Sequence, residues 1–166
     1  MALIALAILA DNGRPVIVSQ RRIGVGSHEY RMWKFRTLPQ HTPQVAKSHL
    51  AGIGGITPTP LGRFMRRYSV DELPQLIHVV TGEMSLIGPR PALYTQDDLV
   101  GMRERAGVMC ARPGLTGLAQ VRGRELLTLE DKVALDAQYV RTMNPLNDLR
   151  ITLLTVGAVV RSRGGY

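Results

Sequence analysis

Alternation of apolar and polar residues near the start of the chain predicts a β-hairpin. Residues 15–20 (PVIVSQ) are rich in β-branched side chains, and the alternation over 30–37 puts Lys34 and Arg36 on one face of a second strand. The segment between them, RRIGVGSHE, has two glycines but lacks the third glycine and the helix of a dinucleotide-binding fingerprint. We therefore interpret it as a loop that joins two paired strands, with two cations projecting side by side.

The first ten residues (MALIALAILA) form an uncharged apolar run. As a helix, such a run reaches about 15 Å, or half of a hydrocarbon core of about 30 Å, so it cannot cross a bilayer alone. A secretory signal would begin with basic residues, which are missing here. A buried core helix is a second alternative. We expect a helix that inserts partially into a membrane.

A basic amphipathic helix is predicted after residues 39–60, whose prolines and glycines indicate an extended loop. Thr59 and Pro60 have the residue types of an N-cap and a first helical position. Apolar side chains then recur with helical spacing and basic ones occupy another side: Leu61, Phe64, Met65 and Tyr68, against Arg63, Arg66 and Arg67. Such a helix is commonly a solvated surface element, but it can also lie in a membrane interface or face a phosphate.

The rest of the chain is predicted to be mostly helical. A second helix begins near Ser69 and ends at Gly82, with Leu73, Leu76, Ile77 and Val80 as its buried stripe. A polar helix is expected over 96–107, and two more begin at Thr128 and near Asn147, whereas 112–117 is rich in turn residues. The pattern predicts an α/β domain with a small antiparallel hairpin and several helices, some of them at the membrane interface.

Length and charge narrow the functional classes. The 166 residues, 45% of them apolar, are enough for one domain with a core. Cys110 cannot form an internal disulfide, and the four histidines lack metal-binding spacing. The net charge of +8 comes from 18 Arg and 3 Lys against 13 acids, which favours phosphate-bearing partners. Aromatic residues are only 5% and no nucleic-acid motif is recognisable, so base stacking has little support.

Two adjacent acids, Asp71 and Glu72, stand where the second helix is predicted to begin, close to Arg66. The spacing Ser69-x-x-Glu72 is that of a capping box, in which Glu72 would only satisfy backbone donors. The alternative is catalytic. Mg²⁺ typically takes one or two carboxylates together with substrate phosphates, so neighbouring acids can divide the roles of nucleophile and metal ligand.

Arg90 and Asp136 are further candidates. Pro89 and Pro91 restrict the backbone on both sides of Arg90 and would hold its guanidinium in a fixed direction. Asp136 interrupts an apolar helical stripe, and a buried carboxylate needs a partner. The candidates for that partner are Arg90, Arg122 and Arg124, and the pair could be a structural salt bridge or a substrate contact.

In their order along the chain, several segments resemble the bacterial sugar transferase family, the monotopic phosphoglycosyl transferases. They cover nearly the whole chain: 33–37 (WKFRT), 61–76 (LGRFMRRYSVDELPQL), 82–91 (GEMSLIGPRP), 113–124 (PGLTGLAQVRGR), and Leu135 and Asp136 with Tyr139. Each piece is short, but the ordered set is specific to this family.

The resemblance implies a two-step reaction at the cytoplasmic face of the bacterial inner membrane. A catalytic aspartate, here Asp71, attacks the β-phosphate of a UDP-sugar and expels UMP, and polyprenyl phosphate then accepts the sugar phosphate. Glu72 falls on the family's Mg²⁺ ligand and Arg66 on an arginine associated with the lipid phosphate. The expected substrate-binding residues are Lys34, Arg66, Arg90, Arg124 and Asp136, of which Lys34 and Arg90 are assigned to phosphate or nucleotide contact.

Three departures from the family pattern are visible: His78 replaces a common Asn, Glu83 a common Asp, and Leu118 a common Trp. Family members usually also carry a longer N-terminal segment with a Ser-Pro break, and 2–10 corresponds to the outgoing half of that membrane helix. The competing interpretations are a non-enzymatic basic module that binds nucleic acid or anionic membrane, and an inactive family member. The resemblance leaves open which sugar is used and whether the chain forms a homodimer.

Overall fold

The computed structural model describes residues 1–39, 42, 57–123 and 126–161. Most of the loop predicted over 39–60 lies outside these residues, as does Arg124. The regular elements, in chain order, are α1 (Ala2–Asn12), β1 (Ile17–Ile23), β2 (Glu29–Phe35), α2 (Pro60–Arg67), a 3-10 helix (Val70–Gln75), α3 (Leu76–Val80), β3 (Ser85–Ile87), α4 (Asp97–Arg105), β4 (Gly114–Thr116), α5 (Leu118–Arg122), α6 (Leu129–Arg141) and α7 (Pro145–Arg161). Short 3-10 turns lie at Val25–Ser27 and Val108–Cys110. The predicted α/β class is confirmed.

The predicted hairpin is present, with β1 and β2 antiparallel and in register from Ile17 opposite Phe35 to Ile23 opposite Glu29. The interpretation of 21–29 as a loop is wrong for its first residues, because β1 continues through Ile23. The turn itself is tight, and Gly26 supplies a positive φ of 59°. The extra length of β1 matters because it places Arg22 directly opposite Tyr30.

Lys34 and Arg36 do not serve one site, although the alternation placed them on one face. Arg36 follows the end of β2, and its guanidinium donates hydrogen bonds to the carbonyl oxygens of Asn12, Gly13 and Arg14. These carbonyls belong to the last residue of α1 and the two residues after it, so a buried cation binds the end of that helix to the hairpin. Lys34 points elsewhere, towards the segment that carries the paired acids.

Helix α1 lies with one side against the domain. Ile8 is 1% exposed and packs with Phe35 and Met65. Leu3 and Leu6, in contrast, are exposed. Within the described part of the chain, every helix is too short or too polar to cross a bilayer. Partial insertion of α1 into a membrane stays a prediction.

Helix α2 begins as predicted, since Thr59 Oγ1 accepts a hydrogen bond of 3.0 Å from the backbone N–H of Gly62. The apolar residues that recur with helical spacing in this segment are not all buried. Met65 is buried, but Phe64 and Tyr68 are exposed, and their rings contact each other in a tilted arrangement with 4.9 Å between the centroids. The apolar residues of this helix therefore divide between the core and the surface.

The predicted buried stripe of the second helix is wrong. Its members are at least 36% exposed, and Val80 reaches 83%. Pro74 lies within the segment and removes a backbone donor, and residues 70–75 form a 3-10 helix with three residues per turn. The tighter turn rotates the sequence so that a different set faces the hairpin: Asp71, Pro74, Gln75 and, in α3, His78.

The turn-rich interpretation of 112–117 missed a second pair of strands. In the structure, β4 pairs with β3 in parallel, Ser85 opposite Gly114 and Ile87 opposite Thr116. The backbones meet so closely that a Cβ added to Gly114 would lie 2.1 Å from the nitrogen of Gly88. Glycine is thus required here by contact distance.

The C-terminal helices match their predicted positions. Helix α6 begins after Thr128, whose Oγ1 accepts a hydrogen bond of 3.1 Å from the N–H of Asp131. Helices α5, α6 and α7 pack with β3 around one buried cluster: Ile87, Leu118, Tyr139 and Ile151. This cluster supports the segment that leads from β3 to Arg90.

We predict that Gly114→Ala destabilises the protein by about 1–3 kcal/mol, the usual cost of forcing extra atoms into a packed interior. The reason is the 2.1 Å approach to Gly88 described above. The control is Gly157→Ala in α7, where an added Cβ meets nothing within 4 Å. Alanine there should be neutral or stabilising by up to about 1 kcal/mol, since it is the better helix former. Urea denaturation measures both, and equal stabilities of the two variants would contradict the packing argument.

Candidate active site

Three segments far apart in the chain meet around the carboxylate of Glu72. Strand β2 contributes Lys34, whose Nζ lies 3.0 Å from Glu72 Oε1. The segment after β3 contributes Arg90, whose Nη2 lies 2.6 Å from the same oxygen. Asp71 occupies the first turn of the same 3-10 helix, so the structure brings these side chains into one region. Their role as site residues stays a prediction.

The capping-box alternative for Glu72 is wrong. Ser69 adopts a left-handed conformation with φ of 55°, and its side chain makes no capping hydrogen bond. The backbone N–H of Glu72 instead donates to the carbonyl oxygen of Ser69 at 3.2 Å. The carboxylate of Glu72 is thus used by two cations from other elements and not by the start of its own helix.

Asp71 is buried, with 9% of its surface exposed. Burial, together with the neighbouring negative charge of Glu72, raises the pKa of this carboxyl to about 6. Lys34, Arg66 and Arg90 oppose the rise with their positive charges. At neutral pH the group is mainly ionised, yet it is more basic than an ordinary aspartate and so a better nucleophile.

Glu72 has the opposite character although it is the next residue. Burial alone would raise its pKa, but the charges of Arg90 and Lys34 and their hydrogen bonds outweigh burial and hold the pKa well below its usual range. Glu72 is therefore a permanent anion. Two adjacent carboxyls with separated pKa values can take different chemical roles.

Arg22 belongs to the same region, although it was not among the residues predicted from the sequence. Its Nη1 donates a hydrogen bond of 3.0 Å to the carbonyl oxygen of Pro91. Burial, assisted by the charge of Arg90, lowers the pKa of Arg22 to about 10. Its Nε is buried without a hydrogen-bond partner among the described residues. Continuing the alternation of β1 past Gln20 would have placed Arg22 on the face of the hairpin that carries Lys34.

Arg66 lies on the last turn of α2 and donates a hydrogen bond of 2.8 Å from Nε to Thr37 Oγ1. Its charge is among those that lower the pKa of Asp71, so it belongs to the same electrostatic environment. The structure thus brings Arg66, Lys34 and Arg90 around Asp71 from three different elements.

Asp136 is buried away from this carboxylate pair, with 1% of its surface exposed. Its Oδ2 accepts hydrogen bonds from Arg103 Nε at 3.0 Å and Nη2 at 2.6 Å. The partners expected from the sequence among the described residues, Arg90 and Arg122, are therefore wrong, and Arg124 lies outside the described residues. The spacing of Arg103 from Leu99, one helical turn earlier on the buried side of α4, was the available signal.

The carboxylates present suit only a cation that takes part of its ligands from a substrate. In the described ranges, no group of three or more His, Cys, Asp or Glu side chains is arranged to hold a metal ion. Asp71 and Glu72 together offer two carboxylates. This fits Mg²⁺, which is commonly held by one or two carboxylates with the remaining positions filled by phosphate oxygens and water.

The site has the features of one that handles phosphate. A basic carboxylate can attack phosphorus, while cations on several sides can bind the phosphate oxygens and stabilise the charge that shifts during transfer. Arginine is suited to this role because its planar fork matches phosphate geometry. The arrangement supports phosphoryl transfer through an enzyme carboxylate.

Comparison with known proteins identifies the family. A model described as bacterial sugar transferase matches residues 1–162. A protein of Caulobacter vibrioides named UDP-glucose:undecaprenyl-phosphate glucose-1-phosphate transferase is 38% identical over 100% of this chain and 64% of its own length. An undecaprenyl-phosphate glucose phosphotransferase of Komagataeibacter xylinus is 36% identical over 100% of this chain and 33% of its own. The exopolysaccharide production protein ExoY of Rhizobium meliloti is 34% identical over 100% of this chain and 79% of its own length.

The chain spans less than two thirds of the first two of these relatives. The matched part nevertheless includes every described element and the full set of residues around Asp71 and Glu72. The chain belongs to the bacterial sugar transferase family.

Proposed function

We propose that this protein transfers a sugar 1-phosphate from a UDP-sugar to polyprenyl phosphate, releasing UMP, through a covalent intermediate on Asp71. The observation that carries the proposal is the convergence of Lys34 and Arg90 on Glu72 beside a buried, unusually basic Asp71. Relatives named as undecaprenyl-phosphate transferases of glucose phosphate support the class of donor and acceptor.

In the first step, a carboxylate oxygen of Asp71 forms a bond to the β-phosphorus of the UDP-sugar. The bond from that phosphorus to the oxygen bridging the α-phosphate breaks, and UMP leaves with the electron pair. Lys34 and Arg90 bind phosphate oxygens, and Arg90 does so through a planar fork. The raised pKa of Asp71 supports this role because a more basic carboxylate is the stronger nucleophile.

In the second step, a phosphate oxygen of polyprenyl phosphate attacks the phosphorus held on Asp71. The bond from phosphorus to the carboxylate breaks, which gives a polyprenyl diphosphate sugar and restores the ionised aspartate. We assign Arg66, in the last turn of α2, to the incoming lipid phosphate. The support is the exposed aromatic side chains beside it in the chain, Phe64 on α2 and Tyr68 directly after that helix.

Mg²⁺ is part of the proposal. Glu72 would hold the ion, with Asp71 nearby and the remaining positions taken by the diphosphate and water. The ion would neutralise charge on the leaving UMP. Glu72 is suited to this role because Arg90 and Lys34 hold the pKa of its carboxyl well below its usual range, so that it is ionised at neutral pH.

We also propose that the domain works at the cytoplasmic face of the inner membrane. Exposed apolar side chains precede and follow Asp71 in the chain from α2 to α3: Phe64, Tyr68, Leu73, Leu76, Ile77 and Val80. Arg63 and Arg67 are exposed on α2 beside them. A surface with aromatic, aliphatic and arginine side chains is typical of contact with anionic lipid.

The first prediction concerns the covalent step. Asp71→Asn should abolish UMP release, because an amide cannot form the acyl phosphate. Wild-type protein incubated with a UDP-sugar and Mg²⁺, but without lipid, should carry the mass of a sugar phosphate on the peptide containing Asp71. The exposed Asp98→Asn on α4 is the control and should retain full activity. Turnover on addition of lipid without any adduct, together with an active Asp71→Asn, would disprove the mechanism, and UMP release absent for a whole UDP-sugar panel would favour a non-enzymatic module.

A second prediction concerns stability. Raising the pKa of Asp71 from 3.8 to about 6 corresponds to up to about 3 kcal/mol of unfavourable free energy for the ionised group. This penalty is present above pH 6 and fades as the pH falls through 6 towards 4, because the folded protein then binds the proton first. Asp71→Asn should therefore raise the free energy of unfolding at pH 7.5, and by less at pH 4.5.

The neighbouring substitution Glu72→Gln should instead lower the free energy of unfolding at pH 7.5. The pKa of Glu72 is depressed, so its ionised form stabilises the fold, and an amide would leave Lys34 and Arg90 without their anion. Chemical denaturation at both pH values measures the two variants. Destabilisation by Asp71→Asn at pH 7.5 would show that the carboxylate is not under the electrostatic penalty described.

A third prediction tests membrane contact. The protein should partition onto vesicles that contain anionic lipid, and less so as salt is added, because each basic residue near such a surface contributes roughly 1 kcal/mol that salt screens. Replacing exposed Arg63 and Arg67 by Gln should weaken partition at low salt, whereas Arg105→Gln on α4 should not. Sedimentation of vesicles with the protein measures the bound fraction, and a lack of binding at any salt concentration would reject the interfacial proposal.

A further inference from the structure

Arg103, on α4, connects helix α6 with the segment that follows β3. Its Nε and Nη2 bind Asp136 on α6, as described above, and its Nη1 donates a hydrogen bond of 2.8 Å to the main-chain carbonyl oxygen of Arg90. The guanidinium is buried, with 7% of the side chain exposed. One planar group thus binds a carboxylate and the backbone of an active-site residue at the same time.

The backbone that Arg103 binds is the part that determines the direction of the Arg90 side chain. Pro89 and Pro91 restrict the backbone dihedral angles on either side of Arg90, so the three residues hold a nearly fixed backbone conformation. Its next carbonyl, that of Pro91, accepts a hydrogen bond of 3.0 Å from Arg22, and that of Ala92 accepts one of 3.0 Å from the N–H of Ile23. Of these attachments, the one to the carbonyl of Arg90 itself is made by Arg103.

We propose that Arg103, anchored by Asp136, is a positioning residue that directs the guanidinium of Arg90 towards the phosphate site. Asp136 then acts through Arg103 and does not touch the substrate. The inference rests on the proposed function only in so far as Arg90 binds a phosphate of the donor. The geometric part, from Asp136 to Arg103 to Arg90 to Glu72, follows from the four residues alone.

A purely structural ion pair between α4 and α6 would explain the burial of Arg103 and Asp136, since buried charges require partners. It does not require the bond to the carbonyl of Arg90. The two roles differ in their consequences. A structural pair affects the free energy of unfolding alone, whereas a positioning pair also affects the orientation of Arg90 in the folded protein and therefore the affinity for the donor.

Arg103→Lys separates the two roles. Lysine retains the charge that Asp136 needs but lacks the planar fork, so a single ammonium cannot bind Asp136 and reach the Arg90 carbonyl in the same geometry. We expect KM for the UDP-sugar to rise about tenfold, with a smaller change in kcat, because binding of the ground state and of the transition state is lost together. The matched control is Arg105→Lys, two residues later on the exposed side of α4, which should leave KM unchanged.

A double-mutant cycle tests whether Arg103 acts through Arg90. Arg90→Lys alone should impair turnover, because lysine cannot grip phosphate with two parallel hydrogen bonds. In that background, Arg103→Lys should change KM by less than about twofold, since the group that it positions is already lost. Losses that multiply in the double variant would overturn the proposal, as would an unchanged KM for Arg103→Lys in the wild-type background.

A readout independent of activity separates failure of this inference from failure of the proposed function. The Nε–H resonance of Arg90, identified as the signal lost in Arg90→Lys, should shift and exchange faster with water in Arg103→Lys, and should not move in Arg105→Lys. Asp136→Asn, which keeps an oxygen acceptor of the same shape, should give a smaller shift and serves if Arg103→Lys does not fold. An Arg90 resonance that does not move in either folded variant overturns the positioning role, even if UMP release proves the proposed function correct. A shifted resonance in a protein that releases no UMP would instead support positioning and reject the proposed reaction.

Discussion

The buried carboxylate of Glu72 is the interaction on which the rest of the site depends. Lys34 and Arg90 both bind its Oε1, and they come from two segments that are distant from the 3-10 helix in the sequence. Removing one partner from such a group leaves uncompensated charge in a poorly solvated place, which typically costs about 3–5 kcal/mol. This requirement explains why the polar side of residues 70–75 faces the hairpin while Leu73 remains exposed.

The environment that makes Asp71 reactive also lowers the free energy of unfolding of the protein at neutral pH. Asp71 is buried like Glu72, but nearby cations offset less of the cost of burying its charge. The pKa of Asp71 is therefore raised, whereas that of Glu72 is lowered. Functional sites are commonly the places where a fold tolerates such unfavourable groups, and packing elsewhere offsets the cost. Here the buried clusters around Ile151 and around Ile8 hold the elements on either side of the acids in position.

Arginine side chains also join backbone segments that are distant in the sequence. Arg36 holds the end of α1, Arg22 holds the carbonyl of Pro91, and Arg103 holds that of Arg90. A guanidinium can serve several carbonyls at once because its donors point in fixed, divergent directions. The excess of arginine over lysine in the composition therefore has a structural cause as well as the electrostatic one inferred from the net charge.

The sequence by itself determined the hairpin, the cap at Thr59 and the C-terminal helices, because these depend on residue types a few positions apart. The order of several short segments along the chain also indicated the family. The sequence also indicated Asp71, Glu72 and Arg90 as candidates through local patterns, and the family resemblance then gave these residues and Lys34 their expected roles. Only the tertiary structure decided the partners. Arg90 meets Glu72 across 18 residues, Arg103 meets Asp136 across 33, and Arg22 meets Pro91 across 69. Local spacing predicted a capping box and a buried stripe, and both predictions were wrong, because buried charges from distant segments required Glu72 and its neighbours to face inward.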